Sequence, residues 1–254
     1  MEVHHHPDLH HKKKNFKEYF LEFLMIFLAV TLGFIAENLR ERIHNRNETA
    51  DNILSMVADL KSDSAMFSSI LAANEYSVRM TDTLIDMLGN KSSNTGHIYF
   101  LARNITAVAD WIKPDTRTFE QMKTTGSFQL IKSKSVLDNI TAYYQSLKWF
   151  DFGNNLETQR VDEVINSNGT LFNGNVFKKM LSFGFGNAEH NTLKFIEPDG
   201  NPPLMTDDAA LINIVIVRYH YFEIVIRENN GTTALEIERC NRLIKLLNKE
   251  YNLN

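Results

Sequence analysis

The densest group of side chains that could bind a metal lies at the N-terminus. Neutral imidazoles at high local density bind zinc, nickel or copper loosely, which makes this tail a weak metal-site candidate. An affinity tag is one alternative, although the interrupted order HHHPDLHH differs from an unbroken tag, and a basic tail is another. We expect no resident cofactor. The five histidines are His4, His5, His6, His10 and His11.

A second chemical candidate is Glu22, the only charged residue of residues 19–36. A carboxylate within a membrane segment is by default a functional candidate, for proton coupling or for pairing with another helix. The alternative is that Glu22 lies near enough to the start of the segment to reach the interface. There it would pair with Lys17 or with a partner subunit.

Patterns typical of known catalytic sites are missing from the sequence. It contains no G-x-S-x-G elbow, phosphate-binding P-loop or H-E-x-x-H motif. The acid pairs Asp59 with Asp63 and Asp82 with Asp86 have the spacing of a solvated helix face, and Cys240 lies on an apolar face. We therefore predict no catalytic residues and a protein that is not an enzyme.

Composition excludes several classes of protein. The chain has 254 residues, of which 43% are hydrophobic and 23% are charged, so it can form a folded core. The net charge of −4 argues against a nucleic-acid binder. One cysteine rules out an intrachain disulfide framework, and 11 glycines and 5 prolines are too few for a turn-rich all-β chain.

Residues 19–36 are predicted to form a transmembrane helix. At about 1.5 Å per residue the segment spans about 27 Å, close to the hydrocarbon core of a bilayer. No small-residue cleavage site follows, so we expect an uncleaved single-pass anchor rather than a signal peptide. Four lysines precede it and three arginines follow it, which weakly favours a cytoplasmic tail at residues 1–18. Residues 37–254 would then form an extracytoplasmic helical domain.

The helix is expected to continue beyond the membrane, because neither proline nor glycine occurs between Glu37 and Leu88. Apolar residues recur with a period near 3.5, as in a coiled coil. Their partner could be another chain or the same chain. With Ala50 as position a, the a series is Ala50, Val57, Ser64, Leu71, Val78 and Ile85, and the d series is Ile53, Leu60, Phe67, Asn74, Thr81 and Leu88.

The fold class predicted from these patterns is mainly α, with the membrane helix followed by an extended helix and a helical bundle. Residues 166–205 are the loosest region, Gly126 and Gly231 mark turns, and residues 211–217 favour helix over buried strand. The stretch around 211–217 is interrupted by charge too often for a second membrane span. The later helices are predicted at residues 97–112, 117–123, 136–165 across Gly153, 209–228 and 233–251.

Two stretches resemble a family of uncharacterised single-pass membrane proteins of Bacteroidota. The first comprises residues 3–7 and 14–41, where this family has an early acid in the span and a polar cluster just after it. The second is residues 114–144, with a Thr-Phe pair, a glycine and a Tyr-Tyr pair. The positions that carry the resemblance are Glu22, Glu37, Asn38, Glu41, Phe119, Met122, Gly126, Leu130, Ile131, Tyr143 and Tyr144.

The resemblance implies a bacterial inner-membrane protein with a periplasmic helical domain, and it implies no known activity. We expect a non-enzymatic scaffold, sensor-like or complex-assembly module that contacts the bilayer and a protein partner or a second copy. One alternative is a membrane-tethered enzyme with an unrecognised site near Arg117, Glu120 and His190. The other is a channel or motor accessory subunit that uses Glu22.

Overall fold

The computed structural model describes residues 15–107, 112–183 and 193–253, and these are mainly α-helical, as predicted. The chain divides into two compact units, Met1–Asp51 and Asn52–Asn254. Helix α1, Phe16–Gly89, begins in the first unit and ends in the second.

The first unit contains the apolar half of α1. Its most apolar window has a mean hydropathy of 2.2, and none of that window is buried within the protein. Helix α1 is therefore long and apolar enough to cross a membrane. Within the first unit, the large exposed apolar side chains are Phe16, Tyr19, Phe20, Leu21, Phe23, Met25, Ile26, Phe27, Leu28, Val30, Leu32, Phe34, Ile35, Leu39 and Ile43.

The second unit is a helical assembly with one short antiparallel strand pair. In the pair, Ser182 lies opposite Lys194. After α1 the elements are α2 (Thr95–Ile105), α3 (Arg117–Thr125), a 3-10 turn (Ser127–Leu130), α4 (Lys134–Ser146), α5 (Lys148–Leu171), α6 (Gly174–Lys179), β1 (Leu181–Phe183), β2 (Leu193–Phe195) and α7 (Ala209–Tyr251).

Several predicted boundaries were wrong. The turn expected at Gly231 lies inside α7, since packing along this 43-residue helix outweighs the roughly 1 kcal/mol that an internal glycine costs. The continuation predicted across Gly153 is confirmed, because α5 runs through that glycine, but the predicted helix is divided at Leu147 into α4 and α5. Helix α5 also extends to Leu171, into the region predicted to be loose. The prediction of helix for residues 211–217 was correct.

The apolar stripe of α1 packs against the same chain within the second unit. The ring centroids of Phe67 and Phe150 of α5 are 5.2 Å apart. The buried rows of α1 differ in part from the predicted a and d series. Most residues of the d series are buried, whereas only Val57 and Val78 of the a series are buried. The row of Met56, Ile70 and Leu84 replaces the rest of the a series.

Helix α7 joins the two parts of the core. Its C-terminal half packs with α1, α3 and α4, whereas its N-terminal half packs with α2, α5 and the end of α1. By length and composition α7 could also cross a membrane, as core helices of soluble proteins often could. Of its most apolar window, 39% is buried within the protein. Helix α5 runs antiparallel to it and approaches closely, because a Cβ on Gly153 would lie 2.5 Å from Oδ1 of Asn229.

A connecting strap, residues 200–207, lies across the start of α2. The hydroxyl of Thr95 donates to the Pro202 carbonyl at 2.7 Å, and the hydroxyl of Tyr99 donates to the Pro203 carbonyl at 3.1 Å. Gly96 permits this close approach, since a Cβ there would collide with the carbonyl oxygen of Gly200.

We predict that Gly96→Ala destabilises the folded unit by about 1–3 kcal/mol, because the strap must move away from α2. The matched control is Gly231→Ala, where a Cβ would meet open space within a helix and should stabilise by about 0.5–1 kcal/mol. Urea unfolding of the full chain in detergent, followed by circular dichroism, measures both. Equal effects of the two variants would contradict the role assigned to Gly96.

Candidate functional site

Helix α3, the 3-10 turn and α4 fold residues 117–146 into a tight corner. Gly126 ends α3 with a φ of +76°, and its N–H donates to the Met122 carbonyl, so the turn predicted at this glycine is confirmed. Met122 is fully buried. The rings of Phe119 and Tyr144 stack with centroids 4.2 Å apart, which joins α3 to α4. Phe119, Met122, Gly126 and Tyr144, singled out in the sequence, are therefore brought together as packing and turn residues.

Two carboxylates of α1 hold this corner in place. Asp59 accepts hydrogen bonds from the hydroxyl of Thr118 at 2.5 Å and from its N–H at 3.2 Å. Asp63 accepts from the N–H of Asp115 at 2.7 Å and from the hydroxyl of Tyr143 at 2.8 Å. We call the set Asp59, Asp63, Thr118, Tyr143 and Cys240 the carboxylate corner.

The expectation that Asp59 and Asp63 lie on a solvated face was wrong. Their exposed fractions are 6% and 2%. Asp63 falls in the helical row of Met56, Ile70 and Leu84, and all three are buried. That row was the available signal, because a lone acid between apolar residues at seven-residue spacing indicates a buried polar contact.

Cys240 of α7 completes a chain of three hydrogen-bonded groups. Its thiol donates to the hydroxyl of Tyr143 at 3.1 Å, and that hydroxyl donates to Asp63. Burial raises the pKa of the Cys240 thiol to about 12, so it is protonated at neutral pH and is a poor nucleophile. The prediction that this cysteine belongs to the core is confirmed.

Burial also governs the electrostatics of the other two groups. It raises the pKa of Asp63 above the ordinary value for a carboxylic acid, and the hydrogen bonds from Asp115 and Tyr143 oppose that effect. Burial raises the pKa of the Tyr143 phenol as well. The hydrogen bonds between Asp63, Tyr143 and Cys240 join α1, α4 and α7.

Two of the three residues proposed for an unrecognised enzyme site are engaged in ion pairs with neighbouring side chains. Arg117 forms its closest ion pair with Asp115 at 2.6 Å and reaches Asp59 at 3.4 Å, while Glu120 pairs with Lys123 at 3.5 Å. His190 lies outside the described residues. Within residues 15–107, 112–183 and 193–253, no group of three or more metal-ligating side chains has the geometry to hold a metal ion.

The membrane-proximal candidates lie in the first unit. Glu22, Glu37, Asn38 and Glu41 all belong to α1, and Glu37 accepts from Nε of Arg40 at 3.0 Å. The N-terminal histidines His4, His5, His6, His10 and His11 lie outside the described residues.

Comparisons with known proteins give no relative from which a role could be transferred. No protein-family model matches the chain, and neither a curated protein nor a solved structure matches it.

We predict different losses of stability when the hydroxyl is removed from each of the two adjacent tyrosines. Tyr143→Phe leaves the buried Asp63 without one of its donors and should cost about 1–3 kcal/mol of unfolding free energy. Tyr144→Phe should cost less than about 0.5 kcal/mol or stabilise, because within the described chain the buried Tyr144 hydroxyl has no hydrogen-bond partner. Urea unfolding of the two variants measures the difference. Similar losses would mean that the hydroxyl of Tyr143 does not hold the corner.

Proposed function

We propose that this protein is a membrane-anchored helical module that assembles a complex by pairing with a second copy of itself, and that it catalyses no reaction. The observation that carries the proposal is an exposed apolar seam on α7. The apolar N-terminal segment of α1 supports the anchor. The carboxylate corner supports a structural role for Tyr143, because its hydroxyl is engaged with the buried Asp63 and Cys240.

The seam consists of Ile214, Val217, Tyr221 and Ile224, whose exposed fractions are 50%, 40%, 50% and 36%. The spacing alternates between three and four residues, which places the four side chains along one face of the helix. The opposite face of the same turns, including Val215, Tyr219 and Phe222, is buried in the core. An apolar row of this kind on a helix that is already packed on its other side fits a second helix.

A second copy is the occupant that fits this seam best, because it supplies a helix with the same spacing. The charges beside the seam are engaged within the chain: Arg218 contacts Glu163 at 2.8 Å, and Arg227 contacts both Glu223 and Asp82. Because these charges are already neutralised by partners in their own chain, they repel less when the seams of two copies face each other.

The size of the seam indicates a weak association that the membrane would strengthen. A strip of four side chains is smaller than the roughly 800 Å² per partner of a stable soluble complex. Two copies anchored in one bilayer have a high effective concentration, so a smaller interface suffices. The seam and the proposed anchor therefore support each other.

The finer assignments belong to the same proposal. We infer a single-pass protein of a bacterial inner membrane, with the N-terminus in the cytoplasm and the helical unit in the periplasm. The lysine and arginine distribution and the resemblance to the Bacteroidota family support this orientation and origin. A functional role for Glu22 in ion coupling is the second candidate, supported by its position as the only charge in residues 19–36.

The anchor predicts that the protein resists carbonate extraction from bacterial membranes. Leu28→Arg combined with Leu32→Arg should shift it toward the soluble fraction, since an arginine near the centre of a span costs roughly 2.5–3.5 kcal/mol. The control is Leu39→Arg combined with Ile43→Arg, at similarly exposed positions of α1 after the predicted span. Equal extraction of the two double variants would contradict an anchor at residues 19–36.

The seam predicts a dimer in native membranes. A short bis-maleimide should crosslink Val217→Cys into a dimer, whereas Ile165→Cys, an exposed position on α5, should remain monomeric. The native Cys240 is buried and should not react. Ile214→Glu should abolish the crosslink made by Val217→Cys, whereas Ile165→Glu, at a similarly exposed position, should leave it intact.

Three results would overturn self-pairing at the seam. The first is a monomer at every position, and the second is Val217→Cys joined only to a different protein. The third is a dimer that Ile214→Glu does not weaken. A Glu22→Gln variant tested in the same membranes bears on the second candidate, because loss of the dimer would assign Glu22 to helix pairing rather than to ion coupling.

A further inference from the structure

A cleft of about 520 Å³ opens where the end of α1, the start of α2 and the strap meet the start of α7. Its volume lies within the range of small-molecule sites, about 300–1,000 Å³. Apolar side chains of Leu88, Ile98, Leu204 and Ile212 line it. Charged and hydroxyl side chains share the lining, which makes the cleft amphipathic.

The walls of the cleft are held by hydrogen bonds that do not depend on a ligand. The strap is fixed to α2 through Thr95 and Tyr99, as described above, and the N–H of Met205 donates to the Leu171 carbonyl at 3.0 Å. Asp208 caps α7 by accepting from the N–H of Ala210 at 2.7 Å. The cleft is therefore preformed, so little binding energy would be needed to order it.

Lys91 occupies an unusual backbone position at one side of the cleft. The N–H of Ser92 donates to the Met87 carbonyl and that of Lys91 to the Leu88 carbonyl, which is the Schellman ending of a helix. In that motif the left-handed residue is usually glycine, but here it is Lys91, with a φ of +50°. The fold thus accepts a backbone cost of about 1 kcal/mol and places a lysine in the lining of the cleft.

Lys91 and Asp207 are the two oppositely charged residues in the lining. In the described part of the chain, neither forms an ion pair, with the other or with any further residue. The hydroxyls beside them already accept hydrogen bonds from the backbone, Ser92 from Asn94 and Thr206 from Asp208. One cation and one anion are thus available to a ligand next to an apolar surface.

We propose that this cleft binds a small zwitterion with an aliphatic side group, the chemistry of an apolar α-amino acid. The ligand carboxylate pairs with Lys91, its ammonium group pairs with Asp207, and its side group packs on Leu88, Ile98 and Ile212. A simple anion would pair with Lys91 and leave Asp207 without a partner, and a simple cation would pair with Asp207 and leave Lys91 without one. This inference does not rest on the proposed anchor or on the α7 seam.

The test is titration calorimetry of the full chain in detergent with three probes. L-leucine carries both charges, 4-methylpentanoate lacks the ammonium group and 3-methylbutylamine lacks the carboxylate. Saturable binding of L-leucine is expected, with at least about tenfold weaker binding of the other two probes, since each lost charge pair is worth roughly 1.4 kcal/mol or more. Both incomplete probes also control for partition into the detergent.

Variants assign the two charges. Lys91→Met keeps a side chain of similar length, and Asp207→Asn keeps the shape of the carboxylate. Each substitution should weaken the binding of L-leucine about tenfold or more. The matched controls are Lys148→Met and Asp151→Asn on α5, which is not part of the lining. Unchanged thermal unfolding of all four variants shows that they fold.

Three outcomes would overturn the proposal. The first is the absence of saturable L-leucine binding up to about 10 mM. The second is binding that Lys91→Met and Asp207→Asn leave unchanged, and the third is equal affinity for 4-methylpentanoate. Because dimer crosslinking is measured separately, failure here is distinguishable from failure of the proposed function.

Discussion

The buried carboxylate of Asp63 is the interaction on which the second unit depends most. A carboxylate removed from water is costly unless hydrogen bonds replace its hydration. Asp115, Tyr143 and, through the tyrosine hydroxyl, Cys240 supply these contacts. One acidic residue on α1 therefore fixes the start of α3, the face of α4 and the C-terminal half of α7.

Helix α7 divides its surface between the core and the outside. Its inward face continues from the carboxylate corner at Cys240 to the second core cluster at Val215. Its outward face carries the exposed apolar side chains of Ile214, Val217, Tyr221 and Ile224. Exposed apolar rows favour association, so this division connects the stable fold to the proposed role in assembly.

The cleft is formed largely by helix termini and by the strap that connects them. The end of α1 and the starts of α2 and α7 line the cleft together with the strap, which approaches α2 closely at Gly96. The strap contributes Leu204 to the apolar lining and places Asp207 in the same cleft as Lys91. A preformed amphipathic cleft near the start of α7 and an apolar seam farther along the same helix are consistent with a module that senses a small molecule and assembles.

The sequence by itself determined the helical fold class, the apolar N-terminal segment, the turn at Gly126 and the core position of Cys240. These features depend on local composition and on helical periodicity, which one chain displays directly. Tertiary structure decided that Asp59 and Asp63 are buried and that α7 continues through Gly231. It also decided which residues line the cleft. The physical reason is that hydrogen-bond donors and packing partners for these positions come from residues about 50 to 180 places away in the chain, and only folding brings them together.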